Sequence, residues 1–476
     1  MININSENFR SMFREYDIRG RVNDEELNSE SVYHIASAYA EFVKRRRYDK
    51  AVVGYDSRAC SIGFANAVSR ALCERGINVI SIGLSTSPLV YFAQYHFGCE
   101  AAVMVTASHN PDGWSGFKLA NGFSKTLEPE DIKELFELVI DLPSIGGNVK
   151  CGMRTDADIR SEYLNSIVSR IEMGENRPRV VIDAGNGGAG LFAYELFQRL
   201  GCMTFQLHCD PDVTFPNYFP NPSDIKARDK LREMVLHPYI KADIGIGFDG
   251  DGDRMGVIDE NGDDVWSDTI LSLLAKPLLE KKHGETVVYD VKCSRVLEQT
   301  IEKYGGVPLM WKTGHSYIKA KMQETGATLA GERSGHIFFG GDEYFGFDDA
   351  LFAGAKLVEF ISHQAGTISA VLGGLPQYVT SPEIQAFCDD TKKYGVIEEV
   401  VIEFNKKYPG RVNDICGARV SFDHGFGLVR ASSNLPELVL IFEGDTEKDM
   451  LEIKDIFHEI LDRYPDINKE WSNEID

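Results

Sequence analysis

The sequence has no excess of basic residues and no long apolar run. Its 73 acidic residues outnumber 50 lysines and arginines, giving a formal net charge of −23 at pH 7. This charge argues against nucleic acid as a partner, because binding a phosphate backbone needs a basic face. No apolar run reaches the roughly 18 residues of a membrane-spanning helix, so we expect no membrane partner. The first residues, MININSENFR, lack the basic and apolar regions of a secretory signal, which predicts a cytoplasmic location.

The nine cysteines are widely spaced and include no C-x-x-C pair. This spacing argues against a disulfide framework or a zinc site and predicts reduced, mostly buried thiols. A hydrophobic fraction of 43% and a charged fraction of 26% are typical of a globular protein. A chain of 476 residues is too long for one compact domain.

Apolar, β-branched runs that end in Gly, Asp or Asn alternate with helical patterns, which predicts an α/β fold with parallel or mixed sheets. Three runs begin alike: VVGYDSR at 52, VVIDAGN at 180 and VVYDVKCSR at 287. The similarity suggests three related α/β units, although so short a match is weak by itself. After Gly366 the composition becomes typical of a linker, and the short strands and helix beyond it predict an α+β unit. We therefore predict four domains, at 1–153, 154–257, 258–368 and 369–476.

Three aspartates alternate with glycines in FDGDGDR: Asp249, Asp251 and Asp253. Carboxylates that converge on one point suit a hard cation, Mg²⁺ or Ca²⁺, and an ion-free acidic turn is disfavoured by their repulsion. An EF-hand also places carboxylates at this spacing, with Glu260 at its last position. However, Arg254 replaces the invariant glycine and the flanks look like strands, so Mg²⁺ is favoured. Arg254 beside a metal loop suggests an anion, such as a phosphate, between the two.

Ser108 lies in MVTASHNP, directly after a predicted strand, where open α/β sheets place their ligands. A hydrolase triad is disfavoured, because there is no G-x-S-x-G elbow and the adjacent His109 is poorly arranged to deprotonate the serine. A phosphoryl-carrying serine fits better, since the cation held by the aspartates would balance its charge. Lys118 adds a cation that would move a proton if its pKa were lowered, although a lone lysine is more often a surface residue.

Two further loops are rich in polar side chains. GERSGH at 331–336 offers a carboxylate and a hydroxyl suited to neighbouring sugar hydroxyls. RASSN at 430–434 offers a guanidinium, two hydroxyls and an amide suited to a phosphate that is held but not transferred. By composition alone either loop is equally an ordinary polar turn.

Taken in order, these loops resemble the α-D-phosphohexomutase superfamily, and within it the phosphomannomutase/phosphoglucomutase group. The matching motifs are FREYDIRG at 13–20, TASHNP at 106–111, FPN and PNP within 215–222, DGDGDR at 249–254, WKTGHS at 311–316, GERSGH at 331–336 and RASSNLP at 430–436. Their order and spacing are specific, although no single loop is decisive. The resemblance implies four domains around a central cleft: three related α/β domains with mixed sheets and a C-terminal α+β domain.

The resemblance also implies a role for each matched residue. Ser108 is then a phosphoserine whose phosphate completes a Mg²⁺ site with Asp249, Asp251 and Asp253. Lys118 and His336 match the general base and acid, with Arg19 and Arg254 supporting the reacting centre and His109 beside it. The positions that meet the substrate are Tyr16, Lys292 and His315. Glu332 and Ser334 match the pair that reads the sugar O3 and O4 hydroxyls, and the phosphate loop comprises Arg430, Ser432, Ser433 and Asn434.

The implied reaction is reversible phosphoryl transfer between the 1- and 6-positions of mannose or glucose phosphates, through a hexose 1,6-bisphosphate. We expect a phosphosugar as the partner and a monomer as the active form. The alternatives are an amino-sugar phosphate mutase, a Mg-dependent phosphosugar phosphatase and a non-catalytic binding protein. The chain departs from the family pattern at Ser433-Asn434 and at Trp114-Ser115. Because the first of these pairs stays polar, we expect phosphate binding to be retained.

Overall fold

The computed structural model describes residues 3–144, 150–433 and 435–471. Within these ranges four β-sheets follow one another along the chain, each built from a contiguous segment and covered by helices. The predicted α/β class with a fourth, smaller unit is confirmed.

The first domain contains a six-stranded mixed sheet. Its strands are β1 (Ile18–Arg21), β2 (Lys50–Tyr55), β3 (Asn78–Leu84), β4 (Ala101–Val105), β5 (Trp114–Asn121) and β6 (Arg154–Asp156). Its helices are α1 (Glu7–Ser11), α2 (Ser29–Arg45), α3 (Ser61–Glu74), α4 (Ser87–Phe97) and α5 (Pro129–Ile140). The sheet order is β1-β5-β4-β2-β3-β6.

The second and third domains contain sheets of five and four strands. The second has α6 (Arg160–Val168), β7 (Arg179–Asp183), α7 (Gly190–Arg199), β8 (Met203–Leu207), α8 (Ile225–Val235), β9 (Ile244–Phe248), β10 (Met255–Asp259) and β11 (Asp264–Val265). The third has α9 (Ser267–Lys281), β12 (Thr286–Asp290), α10 (Arg295–Lys303), β13 (Val307–Trp311), α11 (His315–Thr325), β14 (Leu329–Gly331), β15 (Ile337–Phe339) and α12 (Ala350–Ser362). The sheet orders are β11-β10-β9-β7-β8 and β13-β12-β14-β15.

The fourth domain contains an antiparallel sheet with two long helices. Its elements are β16 (Val379–Thr380), β17 (Ile384–Phe387), α14 (Lys393–Lys407), β18 (Val412–Asn413), β19 (Ala418–Phe422), β20 (Gly425–Ala431), β21 (Glu437–Gly444) and α15 (Glu447–Leu461). The short helix α13 (Ile368–Leu372) precedes them and packs on the core of the first three domains. The segment predicted as a linker, 366–382, thus contains a short helix and a short strand.

The three α/β units repeat one strand arrangement. Each unit contains four consecutive strands, of which the first pairs in parallel with the second and third, and the third pairs antiparallel with the fourth. In the first domain these four strands are β2 to β5: β2 pairs with β3 and β4, and β4 pairs with β5. The same holds for β7 to β10 and for β12 to β15. The similar sequences at 52, 180 and 287 form the first strand of each unit, so the predicted relation between the units is confirmed.

The repeated strand arrangement determines where three of the candidate site loops lie. The loop between the third and fourth strands holds Ser108 in the first unit, the aspartates in the second and GERSGH in the third. Three motifs that are far apart in sequence therefore occupy equivalent positions, each at the carboxyl end of a buried strand.

One hydrophobic core extends through the first three domains, with Leu89, Phe192 and Leu271 among its buried members. Close packing of this kind fixes the relative positions of the three loops.

The fourth domain has a core of its own, which includes Phe404 and Phe457. A much smaller buried cluster joins it to the third domain, where Val291 packs with Phe426, Leu428 and Ile441. The apolar contact between the fourth domain and the rest of the molecule is therefore smaller than that among the first three domains.

Two of the sheets continue past a predicted domain boundary. Strand β6 pairs with β3 of the first sheet, beyond position 153, and β11 pairs with β10, beyond position 257. The boundaries themselves stay predictions. All nine cysteines lie among the described residues and are free, and five of them are buried. Within the described ranges, no helix is long and apolar enough to cross a membrane.

Candidate active site

Ser108 is buried and adopts a backbone conformation that is unusual for a residue with a side chain. Its φ is 51°, in the left-handed region. Its backbone N–H donates to Thr106 Oγ1 at 2.8 Å, which helps to hold this turn. The hydroxyl donates to Asp249 Oδ2 at 2.9 Å and lies 3.2 Å from His109 Nδ1. The turn therefore directs the serine at the aspartate loop of the second domain.

Arg58 holds the Ser108 loop from behind. Its guanidinium donates to four carbonyl oxygens of that loop and its end: those of Ser108 at 3.0 Å, Pro111 at 3.0 Å and Trp114 at 3.2 Å, and that of Asn110. Asp56 balances the charge of Arg58 at 3.3 Å.

Sequence reasoning missed Arg58. A signal was available in the internal repeat, because DSR at 56–58 aligns with DVK at 290–292. The residue aligned with Arg58 is Lys292, which was predicted as a substrate contact. Comparing the three units position by position would therefore have identified Arg58 as a candidate.

The three aspartates of the second domain lie together and are fully buried. Asp249 Oδ1 accepts the backbone N–H groups of Asp253 at 3.1 Å and Arg254 at 3.2 Å. Ser87 Oγ, from the start of α4, donates to Asp251 Oδ2 at 2.6 Å. The loop is flanked by strands β9 and β10, which removes the EF-hand alternative, since that motif needs helices on both sides.

Lys118 is the ammonium that lies against this cluster, 2.7 Å from Asp251 Oδ2 and also paired with Asp253. Burial opposes its charge, but these two carboxylates raise the pKa of Lys118 well above its ordinary value. From the sequence, Lys118 was expected to move a proton if its pKa were lowered, and this condition is not met. A lysine held protonated is suited to donating a proton or stabilising negative charge.

The cluster has the properties of a cation site. Burial and the two neighbouring carboxylates raise the pKa of Asp249 well above its ordinary value, which marks an excess of negative charge. Asp251 Oδ1 and Asp253 Oδ1 are buried and have no hydrogen-bond partner among the described residues. One oxygen from each aspartate lies within 4.8 Å of the other two. Oxygen ligands and a negative charge that Lys118 balances only in part together fit a divalent cation.

His336 and Arg254 meet across the boundary between the second and third domains. Arg254 Nε donates to His336 Nε2 at 2.8 Å. On its other side, His336 Nδ1 lies 3.0 Å from Asp348 Oδ2 and 3.7 Å from Asp253 Oδ1. The histidine is 2% exposed. Arg254 and His336, both predicted as site residues, therefore lie next to the three aspartates.

His109 and Arg19, which were predicted to lie at the reacting centre, both contact the Ser108 loop. Burial, together with the positive charges of Arg254 and Arg19, lowers the pKa of His109 well below its ordinary value, so its ring is neutral. Arg19 pairs with Asp17 at 2.7 Å and donates to the carbonyl of Ala107 at 3.0 Å. The loop of Ser108 is thus held by guanidinium groups on two sides.

The predicted sugar-contacting residues lie next to this centre. Glu332 is buried, which raises its pKa, and one of its oxygens accepts the backbone N–H of Gly314. Ser334 Oγ is 3.4 Å from its other oxygen. The rings of Tyr16 and His315 meet edge to face with centroids 5.1 Å apart, and the His315 ring lies 5.6 Å from that of His336.

The phosphate loop of the fourth domain contains a buried cation. Arg430 and Ser432 are both buried, and Arg430 Nε has no hydrogen-bond partner among the described residues. A buried guanidinium with an unused donor is suited to an anion. Ser433 lies in the loop between β20 and β21, whereas Asn434 lies outside the described residues.

Lys292 joins the third domain to the fourth. Its ammonium pairs with Glu383 of the fourth domain at 2.7 Å, a contact that the sequence did not predict. Burial opposes the charge of Lys292, but Glu383 holds its pKa above the ordinary value. This lysine is therefore a second fixed cation near the phosphate loop.

Two contacts join the fourth domain to the FREYDIRG motif. Arg14 pairs with Asp390 at 3.1 Å. Glu15 accepts hydrogen bonds from Tyr394 of the fourth domain at 2.6 Å and from Tyr317 of the third at 3.0 Å. The described structure is therefore closed, with the fourth domain in contact with the first across the cleft.

Sequence reasoning also missed Asp348 and Ser87. Asp348 precedes the N-cap of α12 in FDDA, and a local interpretation assigns such a pair to helix capping. Ser87 lies beside Pro88 at the start of α4, where a serine is likewise expected for local reasons. Neither has a sequence pattern that predicts its contact with the site.

The comparisons with known proteins agree with this geometry. Family models match domains I, II and III of phosphoglucomutase/phosphomannomutase, each described as alpha/beta/alpha, at residues 10–142, 161–262 and 266–378. A phosphomannomutase/phosphoglucomutase of Pseudomonas aeruginosa is 38% identical over 455 residues, 95% of each chain. A phosphoglucomutase of Neisseria meningitidis is 38% identical over 460 residues, 96% of this chain and 98% of its own.

A solved structure extends the similarity to three dimensions. A phosphoglucomutase/phosphomannomutase family protein from Burkholderia thailandensis superposes with a TM-score of 0.87 at 35% identity, covering 97% of this chain and 98% of its own. Relatives at this identity and coverage and a matching fold confirm the predicted family and class of enzyme. The chain belongs to the phosphoglucomutase/phosphomannomutase family of the α-D-phosphohexomutases.

Proposed function

We propose that this chain interconverts the 1- and 6-phosphates of a hexose and carries the phosphoryl group on Ser108. Phospho-Ser108 gives its phosphoryl group to the free hydroxyl of a hexose phosphate, which produces a hexose 1,6-bisphosphate. The bisphosphate turns around in the cleft and returns its other phosphoryl group to the serine. The observation that carries this proposal is the 2.9 Å hydrogen bond between Ser108 Oγ and Asp249, which joins the predicted nucleophile to the carboxylate cluster.

We assign Asp249, Asp251, Asp253 and the phosphate of Ser108 as ligands of Mg²⁺. When bound, Mg²⁺ would neutralise charge on the phosphoryl oxygens during transfer. The unpartnered oxygens of Asp251 and Asp253 support this assignment, because hard oxygen ligands suit this cation.

Two side chains are placed to move the proton of the reacting hydroxyl. Lys118 is held protonated by Asp251 and Asp253, which suits a general acid and a stabiliser of developing charge. His336 has an unprotonated Nε2, because the Arg254 Nε–H that faces it is only a donor. We therefore assign His336 as the general base and Lys118 as the acid in the direction of transfer to the sugar.

The remaining residues would hold the substrate. Glu332 and Ser334 would bind the sugar O3 and O4 hydroxyls, with Tyr16, His315 and Lys292 around the ring. The phosphate that is not transferred would be held by Arg430, Ser432, Ser433 and Asn434. This phosphate loop belongs to the domain with its own core, which suits a cleft that must open for the intermediate to turn.

We further propose that both glucose and mannose phosphates are substrates. The two sugars differ at C2, and recognition through O3 and O4 does not test that carbon. The specificity is measured as kcat/KM for the 1-phosphates of mannose, glucose, glucosamine and N-acetylglucosamine. A clear preference for an amino sugar would contradict this specificity and leave the phosphoryl-transfer chemistry in place.

The central test is Ser108→Ala. We expect the wild-type chain to carry a phosphoryl group by intact mass, and the variant to lose both this group and mutase turnover. Ser115→Ala, which changes a buried serine on the other side of the same hairpin, is the matched control and should keep both. Undiminished turnover by Ser108→Ala would refute the proposal. Release of inorganic phosphate in place of isomerised sugar would instead indicate a phosphatase. A monomeric state and a cytoplasmic location stay predictions.

A further inference from the structure

Asp348 is a buried carboxylate to which the mechanism above gives no role. It lies two residues before the start of α12 and is 0% exposed. Its Oδ2 is 3.0 Å from His336 Nδ1 and 3.8 Å from His315 Nδ1, and its Oδ1 accepts a hydrogen bond from Lys319 Nζ at 3.3 Å. It thus contacts the side of the His336 ring that faces away from Arg254.

The proton on the His336 ring can be placed from its neighbours. An arginine Nε–H only donates, so His336 Nε2, at 2.8 Å from Arg254 Nε, must be the acceptor. A neutral imidazole then carries its proton on Nδ1, the atom that faces Asp348. At 3.0 Å the two atoms are close but not aligned as a hydrogen bond, and neither has another hydrogen-bond partner among the described residues. Catalytic contacts of substrate-free enzymes are commonly misaligned in this way.

The backbone fixes Asp348 in this place. Its main chain forms an antiparallel bridge with Phe338, two residues after His336. The next residue, Asp349, caps α12 by accepting the backbone N–H of Phe352 at 3.0 Å. The carboxylate and the histidine are therefore held by the same small piece of structure, independently of substrate.

We propose that Asp348 is a positioning residue that, with Arg254 on the other side of the ring, orients His336 with its proton on Nδ1, so that Nε2 can accept the proton of the substrate hydroxyl when that hydroxyl takes the place of the Arg254 N–H. This inference rests on the proposed role of His336 as general base. Asp348 itself touches neither the substrate nor the reacting atoms. A bystander in a structural ion pair with Lys319 would contribute to stability alone, and the experiment below separates the two roles.

The test is a double-mutant cycle on the full-length chain with Mg²⁺ present. Asp348→Ala should lower kcat about 10- to 100-fold, the effect common for a group that orients an imidazole, while KM changes little. In a His336→Ala background the same substitution should cause no further loss, because the group through which it acts is already gone. Asp348→Asn serves as a second variant if the alanine chain does not fold.

Asp349→Asn is the matched control, because it changes the neighbouring buried carboxylate, which contacts Tyr163 and Tyr344 and not His336. It should keep kcat within about twofold. The ¹⁵N resonances of His336 should report a proton on Nδ1 in the wild type, and the Nδ1 resonance should shift in Asp348→Ala, because the carboxylate that faces this N–H is gone while Arg254 still faces Nε2.

Three results would overturn the inference. One is wild-type kcat in both Asp348 variants, and another is a loss that multiplies with that of His336→Ala. The third is full turnover by His336→Ala, which would refute the role of His336 and the inference with it. In that last case the Ser108→Ala result still tests the phosphoserine independently.

Discussion

Replacing Arg58 with methionine should both destabilise the first domain and impair turnover. Arg58 is 6% exposed and binds four carbonyl oxygens around the loop that carries Ser108. Methionine keeps much of the side-chain volume and has no donors, so the substitution removes the hydrogen bonds without leaving a large cavity. It also leaves Asp56, 2% exposed, without its cationic partner.

The magnitude follows from those contacts. Breaking a buried ion pair by removing one partner costs about 3–5 kcal/mol, and hydrogen bonds from a charged donor contribute about 1.5–3 kcal/mol each. The sum of all contacts is too large, because the freed carbonyls regain water when the loop relaxes. We therefore expect a loss of about 4 kcal/mol in the free energy of unfolding. A loop displaced by about 1 Å would lower kcat about 100-fold.

The assay combines denaturant unfolding with steady-state turnover. Arg58→Lys should fall between wild type and Arg58→Met, because one ammonium cannot span the carbonyls that a guanidinium reaches. Arg70→Met is the surface control, since Arg70 is exposed and packs over the ring of Tyr33 at 4.8 Å. It should change stability by less than about 1 kcal/mol. An Arg58→Met chain as stable and active as this control would refute the reasoning.

Three further predictions concern the cation, a buried carboxyl and domain closure. Asp251→Asn should weaken Mg²⁺ binding at least about tenfold by calorimetry, because it removes ligand charge, and equal affinity would contradict the metal site. Burial raises the pKa of Asp349 from 3.8 to about 6, so the folded state favours the protonated carboxyl. The free energy of unfolding of the wild type therefore falls as pH rises from 3.8 to about 6. Asp349→Asn cannot ionise, so its free energy of unfolding should rise by about 3 kcal/mol relative to that of the wild type across this pH range. A difference between the two that does not change with pH would contradict this. Tyr394→Phe removes a 2.6 Å hydrogen bond to Glu15 and should favour the open state about fivefold, or about 1 kcal/mol. An unchanged radius of gyration and product-release rate would argue against a role for this contact in closure.

The sequence offered candidates for the reacting groups in two ways: short local patterns singled out Ser108 and the aspartates, and the family resemblance supplied the roles of Lys118 and His336. Alternating aspartates and glycines at 249–253 indicate a cation whatever surrounds them, and a serine after a buried strand indicates a ligand site. The fold class was predictable for a similar reason. Apolar runs closed by Gly or Asp predict strands, and their repetition predicts related units.

Charge states and supporting contacts depended on tertiary structure. From the sequence, a proton-transfer role for Lys118 depended on a lowered pKa, whereas the structure raises this pKa, because Asp251 and Asp253 come from a different domain and lie against the ammonium. Asp348 looked like half of a capping pair, and only packing places it against His336.

The sequence by itself determined the candidate side chains for the chemistry and the order in which they follow along the chain. It could not determine that three of the loops occupy equivalent hairpins whose strands end at one cleft. Strand pairing joins residues that are distant in sequence, so the distances and protonation states within the site were decided only when the domains packed together.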